Sequence, residues 1–112
     1  HSLIEIIGTL VDNALEAATE DKPNVRMILA SSHHKLIFEI SNETENLSLD
    51  EISKFFDKGY STKNINEENR FEGKHGFGLY NARKLSKKHG GDVTVSLDYV
   101  DDKQFITFRV EI

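Results

Sequence analysis

Apolar residues recur at helical spacing from the start of the chain. Leu3, Ile7, Leu10, Val11, Ala14, Leu15 and Ala18 fall on one face, and Glu5, Thr9, Asp12, Asn13, Glu16 and Glu20 on the other. This pattern predicts an amphipathic helix that buries the first set, turns Asn13 away from the core and runs to just before Pro23. Residues 25–31 and 35–41 then alternate apolar with polar, the period of a half-buried strand, with Ser32-His33-His34 as a tight connection. The adjacent histidines could suggest a metal pair, but neighbours on a strand point to opposite faces, so they read as turn residues. Val93, Val95, Leu97 and Tyr99 share a face in a third extended run. Ile106, Phe108, Val110 and Ile112 do so in a fourth, across Asp101-Asp102-Lys103.

Between the two predicted hairpins lie a short helix near residues 49–56, a polar stretch over 59–74, and a helix over 77–89 stopped by Gly90-Gly91. The order helix, two strands, short helix, loop, helix, two strands predicts an α+β fold, a two-layer α/β sandwich with helices on one face of a four-stranded sheet. No repeat or linker divides the chain, so residues 1–112 form one domain. A helix that starts almost at the first residue, without a lead-in, reads as the beginning of a C-terminal fragment of a longer polypeptide. The stretch over 59–74 exceeds the usual length of a structureless connection and carries one aliphatic residue in its Ser61 to Arg70 portion, so it reads as a ligand lid.

Composition narrows the chemistry. With 38% apolar and 29% charged residues the chain is that of a globular protein, and a net charge of −5 argues against a broad nucleic-acid surface. There are no cysteines for a disulfide or zinc scheme, which fits a reducing, cytoplasmic setting. No apolar run has the roughly 20 residues of a membrane span, so this domain is expected to make no direct membrane contact.

Against this acidic background, Gly73-Lys74-His75-Gly76-Phe77-Gly78-Leu79 opens a helix, and Val11-Asp12-Asn13-Ala14 lies on another. Glycines at a helix start offer free backbone N–H groups and a positive helix end to an anion. An asparagine oxygen suffices for Mg²⁺ when phosphates supply the charge. Lys58, Lys63, Arg70 and Lys74 add cations around the loop, whereas Lys87 and Lys88 complement a helix C-terminus. Together these features point to a Mg-nucleotide site.

The ordered motifs resemble the GHKL superfamily of gyrase, Hsp90, histidine kinase and MutL ATP-binding domains. Leu10-Val11-Asp12-Asn13-Ala14-Leu15-Glu16-Ala17 is similar to its N box. Phe55-Phe56-Asp57-Lys58-Gly59-Tyr60-Ser61-Thr62-Lys63 is similar to its F-box region, and His75-Gly76-Phe77-Gly78-Leu79 to its second glycine box. Among subfamilies the boxes look most like peptide-sensing quorum receptor kinases of the AgrC type. The resemblance implies the Bergerat sandwich and the catalytic and ATP-binding domain of a two-component sensor histidine kinase. Its implied ATP-binding residues are Asn13, Asn42, Lys58, Gly59, Thr62, Lys63, Gly76, Phe77, Gly78 and Leu79, with Asn13 also on Mg²⁺ as the catalytic residue. The implied partners are a histidine-bearing dimerisation domain of the same kinase and a downstream response regulator, and the parent protein would be anchored in the cell membrane.

Three positions depart from the family pattern. Asn42, in Ile40-Ser41-Asn42-Glu43-Thr44, stands where relatives carry an adenine-reading aspartate followed by glycines, and its amide oxygen can accept the same bond. Lys74 stands at a common glycine position. Thr9, one turn before Asn13, replaces the glutamate with which hydrolysing members activate water, and a hydroxyl is no general base near neutral pH. The chain therefore reads as a transferase domain that leaves nucleophile activation to the acceptor. The isolated chain is not expected to phosphorylate itself. Two alternatives remain open on the residues: a degenerate nucleotide-binding or docking module without catalysis, and a GHKL ATPase fragment, which Thr9 disfavours.

Overall fold

The computed structural model describes residues 2–57 and 78–112. Its elements are α1 (Ser2–Ala17), β1 (Val25–Ser32), β2 (Lys35–Thr44), α2 (Leu49–Ile52), α3 (Gly78–Lys88), β3 (Asp92–Val100) and β4 (Lys103–Glu111). The strands form one antiparallel sheet in the order β1-β2-β4-β3, so the two predicted hairpins are joined through β2 and β4. Both hairpins close through two-residue turns. His33 and His34 have φ of 51° and 67°, Asp101 and Asp102 of 53° and 67°, the paired left-handed geometry that matches strand twist. The histidines are thus turn residues, as their position in the pattern predicts.

α1 lies over β2, α3 over β3, and the two helices pack on each other. The core is the inward row of β2 and β4 (Phe38, Ile40, Ile106, Phe108, Val110) and Val93, roofed by Ile6, Leu10 and Ala14 of α1 and Ala82 of α3. Burying each of these side chains larger than alanine stabilises the fold by about 1.5–3 kcal/mol. Edge strand β1 lies beyond the helices, which leaves Met27 and Leu29 of its inward row exposed.

Two helices differ from the sequence pattern. The buried centre of α1 is Ile6-Leu10-Ala14, one step round from the predicted stripe, and Leu15 is 59% exposed. The shift follows from packing on two neighbours at once, sheet and α3, which centres the buried face between them. The helix also stops at Ala17 rather than near Pro23, because the Thr19 hydroxyl accepts the Lys22 N–H at 3.0 Å and the backbones of the two residues pair in a turn. α2 is a single turn. Ser48 and Glu51 form a reciprocal capping box at its start, and beyond Ile52 the bonds tighten to i−3 as the Ser53 hydroxyl donates to the Asp50 carbonyl at 2.6 Å.

The stop of α3 is as predicted and its details explain both glycines. Gly90 takes φ of 86°, its N–H donates to the Lys87 carbonyl and the Gly91 N–H to the Ser86 carbonyl, the paired bonds of a Schellman cap. Gly91 is needed for space, since a Cβ there would run into the backbone of Glu111 and Ile112.

Candidate functional site

Asn13, Asn42, Gly78 and Leu79 are the sequence-predicted site residues that the structure describes. Lys58, Gly59, Thr62, Lys63, Gly76 and Phe77 lie outside the described residues, as do Arg70, Lys74 and the predicted lid.

Asn13 is half-buried on α1. It stands one turn, about 6 Å of helix rise, past Thr9. Thr9 in turn touches the start of α3, its Cγ2 standing 3.4 Å from where a Cβ on Gly78 would be. The first turn of α3 holds N–H groups without helical partners and no acidic side chain, so its positive end is uncompensated from within the helix. Leu79 anchors that turn by packing against the core. Asn13 and a phosphate-ready helix start are therefore brought to one neighbourhood by the α1–α3 contact.

Asn42 lies within β2, pairing with Val25 and Ile106, on the inward row with Phe38 and Ile40. It is 2% exposed, so it is a buried strand residue rather than a solvated turn residue. Among the described residues its side chain makes one hydrogen bond, a long one of 3.4 Å from Nδ2 to the Glu43 carbonyl, and Oδ1 accepts none. A buried acceptor without a donor is costly, and an exocyclic amino group is a donor that would satisfy it. The residues present thus fit an adenine nucleotide.

Thr9 donates its hydroxyl to the Glu5 carbonyl one turn back at 3.0 Å, which commits that group to the helix and away from water activation. Arg83 is committed to structure: Nε donates to Asp92 Oδ1 at 3.0 Å and the guanidinium lies 4.9 Å from the Phe56 ring centre. Lys87 and Lys88 occupy the last turn of α3, where they complement the helix dipole.

Two concavities open among the described residues, the first of them lined in part by Thr9. A groove of about 460 Å³ on the α1–α3 seam is rimmed by Glu5 and Asp12, whose charges repel phosphate. Another, of about 650 Å³, opens between Arg26, Ser41, Asp98 and Thr107 on the outward face of the sheet, opposite to Asn42. Among the described residues no group of three or more His, Cys, Asp or Glu side chains could hold a metal, and no helix is long and apolar enough to cross a membrane.

Two residues near the site escaped the sequence reading. Asn46 has φ of 60°, the left-handed conformation usually given to glycine, in the segment where family glycines are missing. Gln104 is 7% exposed at the base of β4 and bonds the loop that carries Asn46. The available signal was that Gln104 places a polar residue at the head of an otherwise apolar inward series, Ile106-Phe108-Val110.

A four-stranded antiparallel sheet roofed on one face by two packed helices defines an α/β sandwich of the Bergerat type. The chain belongs to the family described as Histidine kinase-, DNA gyrase B-, and HSP90-like ATPase, which it matches over residues 1–112. It is 28% identical over 107 residues to the sensor protein CitS of Bacillus subtilis (strain 168), which covers 95% of this chain and 18% of that protein. Among solved structures it resembles the catalytic domain of histidine kinase ThkA, with a TM-score of 0.68 and 19% identity over 97% of this chain and 65% of that one. It also resembles the mycobacterial sensor histidine kinase MprB, with a TM-score of 0.70 and 17% identity over 98% of this chain and 72% of that one. The chain therefore spans less than a fifth of its curated relative and about two-thirds of the ThkA domain.

Proposed function

We propose that this domain binds MgATP beside the Asn13 turn of α1, the first turn of α3 and the inward end of β2, and presents the γ-phosphate to a histidine on a separate helical domain. In this reading Asn13 holds Mg²⁺, Asn42 accepts from the adenine amino group, and the backbone from Gly76 to Leu79 meets the phosphates. Lys58, Gly59, Thr62 and Lys63 complete the nucleotide contacts. Mg²⁺ supplies charge neutralisation on the phosphates; the chain supplies position. The contact between Thr9 and Gly78 supports the reading, because Asn13 lies one helical turn along α1 from the residue that meets the helix start. The Thr9 hydroxyl, held by Glu5, favours a transferase over a hydrolase.

The parent protein would be a membrane-anchored two-component sensor kinase, with this domain in the cytoplasm and a response regulator as final acceptor. The similarity to a sensor protein supports that class. A peptide-sensing quorum receptor is the narrower reading, favoured by the Asp-Asn-Ala-Leu-Glu-Ala, Gly-Tyr-Ser-Thr-Lys and His-Gly-Phe-Gly-Leu-Tyr-Asn segments.

Calorimetry with ATP tests the site. Asn13→Ala should weaken binding by roughly tenfold or more with Mg²⁺ and far less in EDTA. Equal losses in both conditions would take Asn13 off the metal, and absence of binding by the unaltered domain would overturn the reading.

A further inference from the structure

The carboxamide of Gln104 makes four hydrogen bonds. Nε2 donates to the Leu47 carbonyl and to Tyr99 Oη, each at 2.8 Å. Oε1 accepts from the Leu47 N–H at 2.9 Å and from the Thr44 hydroxyl at 2.8 Å. Leu47 offers one obligate donor and one obligate acceptor, so the amide can sit only one way round. Meeting both backbone groups of a single residue is what an adjacent strand does. Gln104 thereby extends the hold of β4 past Thr44, its cross-strand partner and the last residue of β2, onto the loop. On the other flank of Asn46, Glu45 is tied to Lys22 at 3.1 Å. The left-handed residue is held from both sides.

This clamp bears on Asn42 through one peptide group. The Nδ2 of Asn42 donates to the Glu43 carbonyl, which belongs to the peptide joining Glu43 to Thr44. Fixing Thr44 fixes that carbonyl. The carbonyl keeps Nδ2 turned toward it, leaving Oδ1 as the group that faces a base. Adenine offers a donor at its amino group, whereas guanine offers an acceptor at the equivalent position, which would need the amide reversed.

We propose that Gln104 is a positioning residue for base recognition, holding the Asn42 carboxamide in the acceptor-outward state that favours adenine over guanine. This inference rests on the reading in which Asn42 faces the base.

ATP and GTP affinities of the domain, measured with Mg²⁺ alongside thermal melts, test it. Gln104→Leu removes the clamp. Thr44→Val removes only the hydroxyl and keeps the bonds to Leu47, so it remains informative if Gln104→Leu does not fold. Either variant should lower the preference for ATP over GTP about fivefold or more, whereas a merely structural loss would weaken both nucleotides alike. An unchanged ratio in the folded variants overturns the positioning role. Asn42→Leu separates the two failures. If it abolishes the preference while the clamp variants keep it, only Gln104 is misassigned. If Asn42→Leu leaves affinity and ratio unchanged, or if the unaltered domain shows no preference for ATP, the reading of Asn42 falls and this inference with it.

Discussion

The Cγ2 methyl of Thr9 meets Gly78 at van der Waals range, 3.4 Å from a Cβ built there, so α3 starts in contact with α1 one turn before Asn13. One added carbon meets Thr9 at that ordinary contact distance, and the further methyls of a branched side chain are expected to crowd it. Gly78→Ala should bind ATP within about threefold of the unaltered domain. Gly78→Val should bind at least roughly tenfold more weakly by calorimetry, with a cooperative melt, because the helix start is pushed off its place rather than unfolded. Full binding by the valine variant would make the glycine dispensable for the site.

The cap of α3 makes an ordered prediction about stability. Gly90→Ala places a Cβ at φ of 86° and should cost about 1 kcal/mol. Gly91→Ala drives a Cβ into the backbone of Glu111 and Ile112 and should cost more, about 2–4 kcal/mol, because β4 must move. Urea unfolding of both variants would reveal the order, and a larger loss at Gly90 would contradict this account.

Asp92 joins the end of that helix to β3. Burial pushes its carboxyl up, but hydrogen bonds from Arg83 and the Val93 N–H, with the charges of Arg83 and Lys87, outweigh it and hold the carboxyl below the usual aspartate value. The ionised group therefore stabilises the fold above about pH 4, and this contribution is lost as pH falls through the lowered native value. Asp92→Asn should be less stable than the unaltered domain at pH 7, with the gap narrowing below about pH 4. Urea midpoints across that range would show it. A gap of the same size at pH 3 and pH 7 would mean that the charge is not what matters.

Local patterning made the strands and the two hairpin pairings legible, though not the joining of β2 to β4, since a period-two row such as Phe38-Ile40 or Ile106-Phe108-Val110 has one inward face and cannot slip without exposing it. The rotation of α1 was not legible. Which flank of an apolar helix is deepest depends on where α3 lies, and that is a tertiary fact that placed Ile6 inside and Leu15 outside. The end of α1 was missed because the Thr19 turn competes with the helix before Pro23 is reached. Of the candidate site, Asn13 and Gly78 carried their own sequence signals, an N-box asparagine and a glycine-rich helix start. Gln104 carried only the weak signal of a polar residue at the head of an apolar inward series, because its meaning comes from Leu47, far away in sequence and brought close by the β2–β4 pairing.

Asn46 offers a check on the loop that replaces the family glycines. At φ of 60° a glycine is at least as comfortable as asparagine, while a β-branched residue is strained by about 1–2 kcal/mol. Asn46→Gly should keep both stability and ATP affinity near their original values. Asn46→Val should lower the urea midpoint and weaken ATP binding together, because the strained residue lies between the Glu45 and Leu47 anchors. Weakened stability with unaltered ATP affinity would show that the loop's conformation is not read by the nucleotide.

The geometry also says where phosphate should not go. His33 and His34 close the β1–β2 turn, at the other end of β2 from Asn42, about 26 Å away at strand rise. His89 follows α3 at the end opposite Gly78, about 16 Å away at helical rise. None of these described histidines can meet a γ-phosphate bound at the first turn of α3 within its own molecule. Incubation with radiolabelled ATP and Mg²⁺ should therefore leave His33, His34 and His89 unlabelled. A helical domain bearing an acceptor histidine, added separately, should become labelled slowly, since tethering supplies effective concentrations in the millimolar range that mixing does not. Asn13→Ala should abolish that transfer. Stable labelling of the isolated domain at His33, His34 or His89 would overturn the division between a domain that positions ATP and a domain that accepts its phosphate.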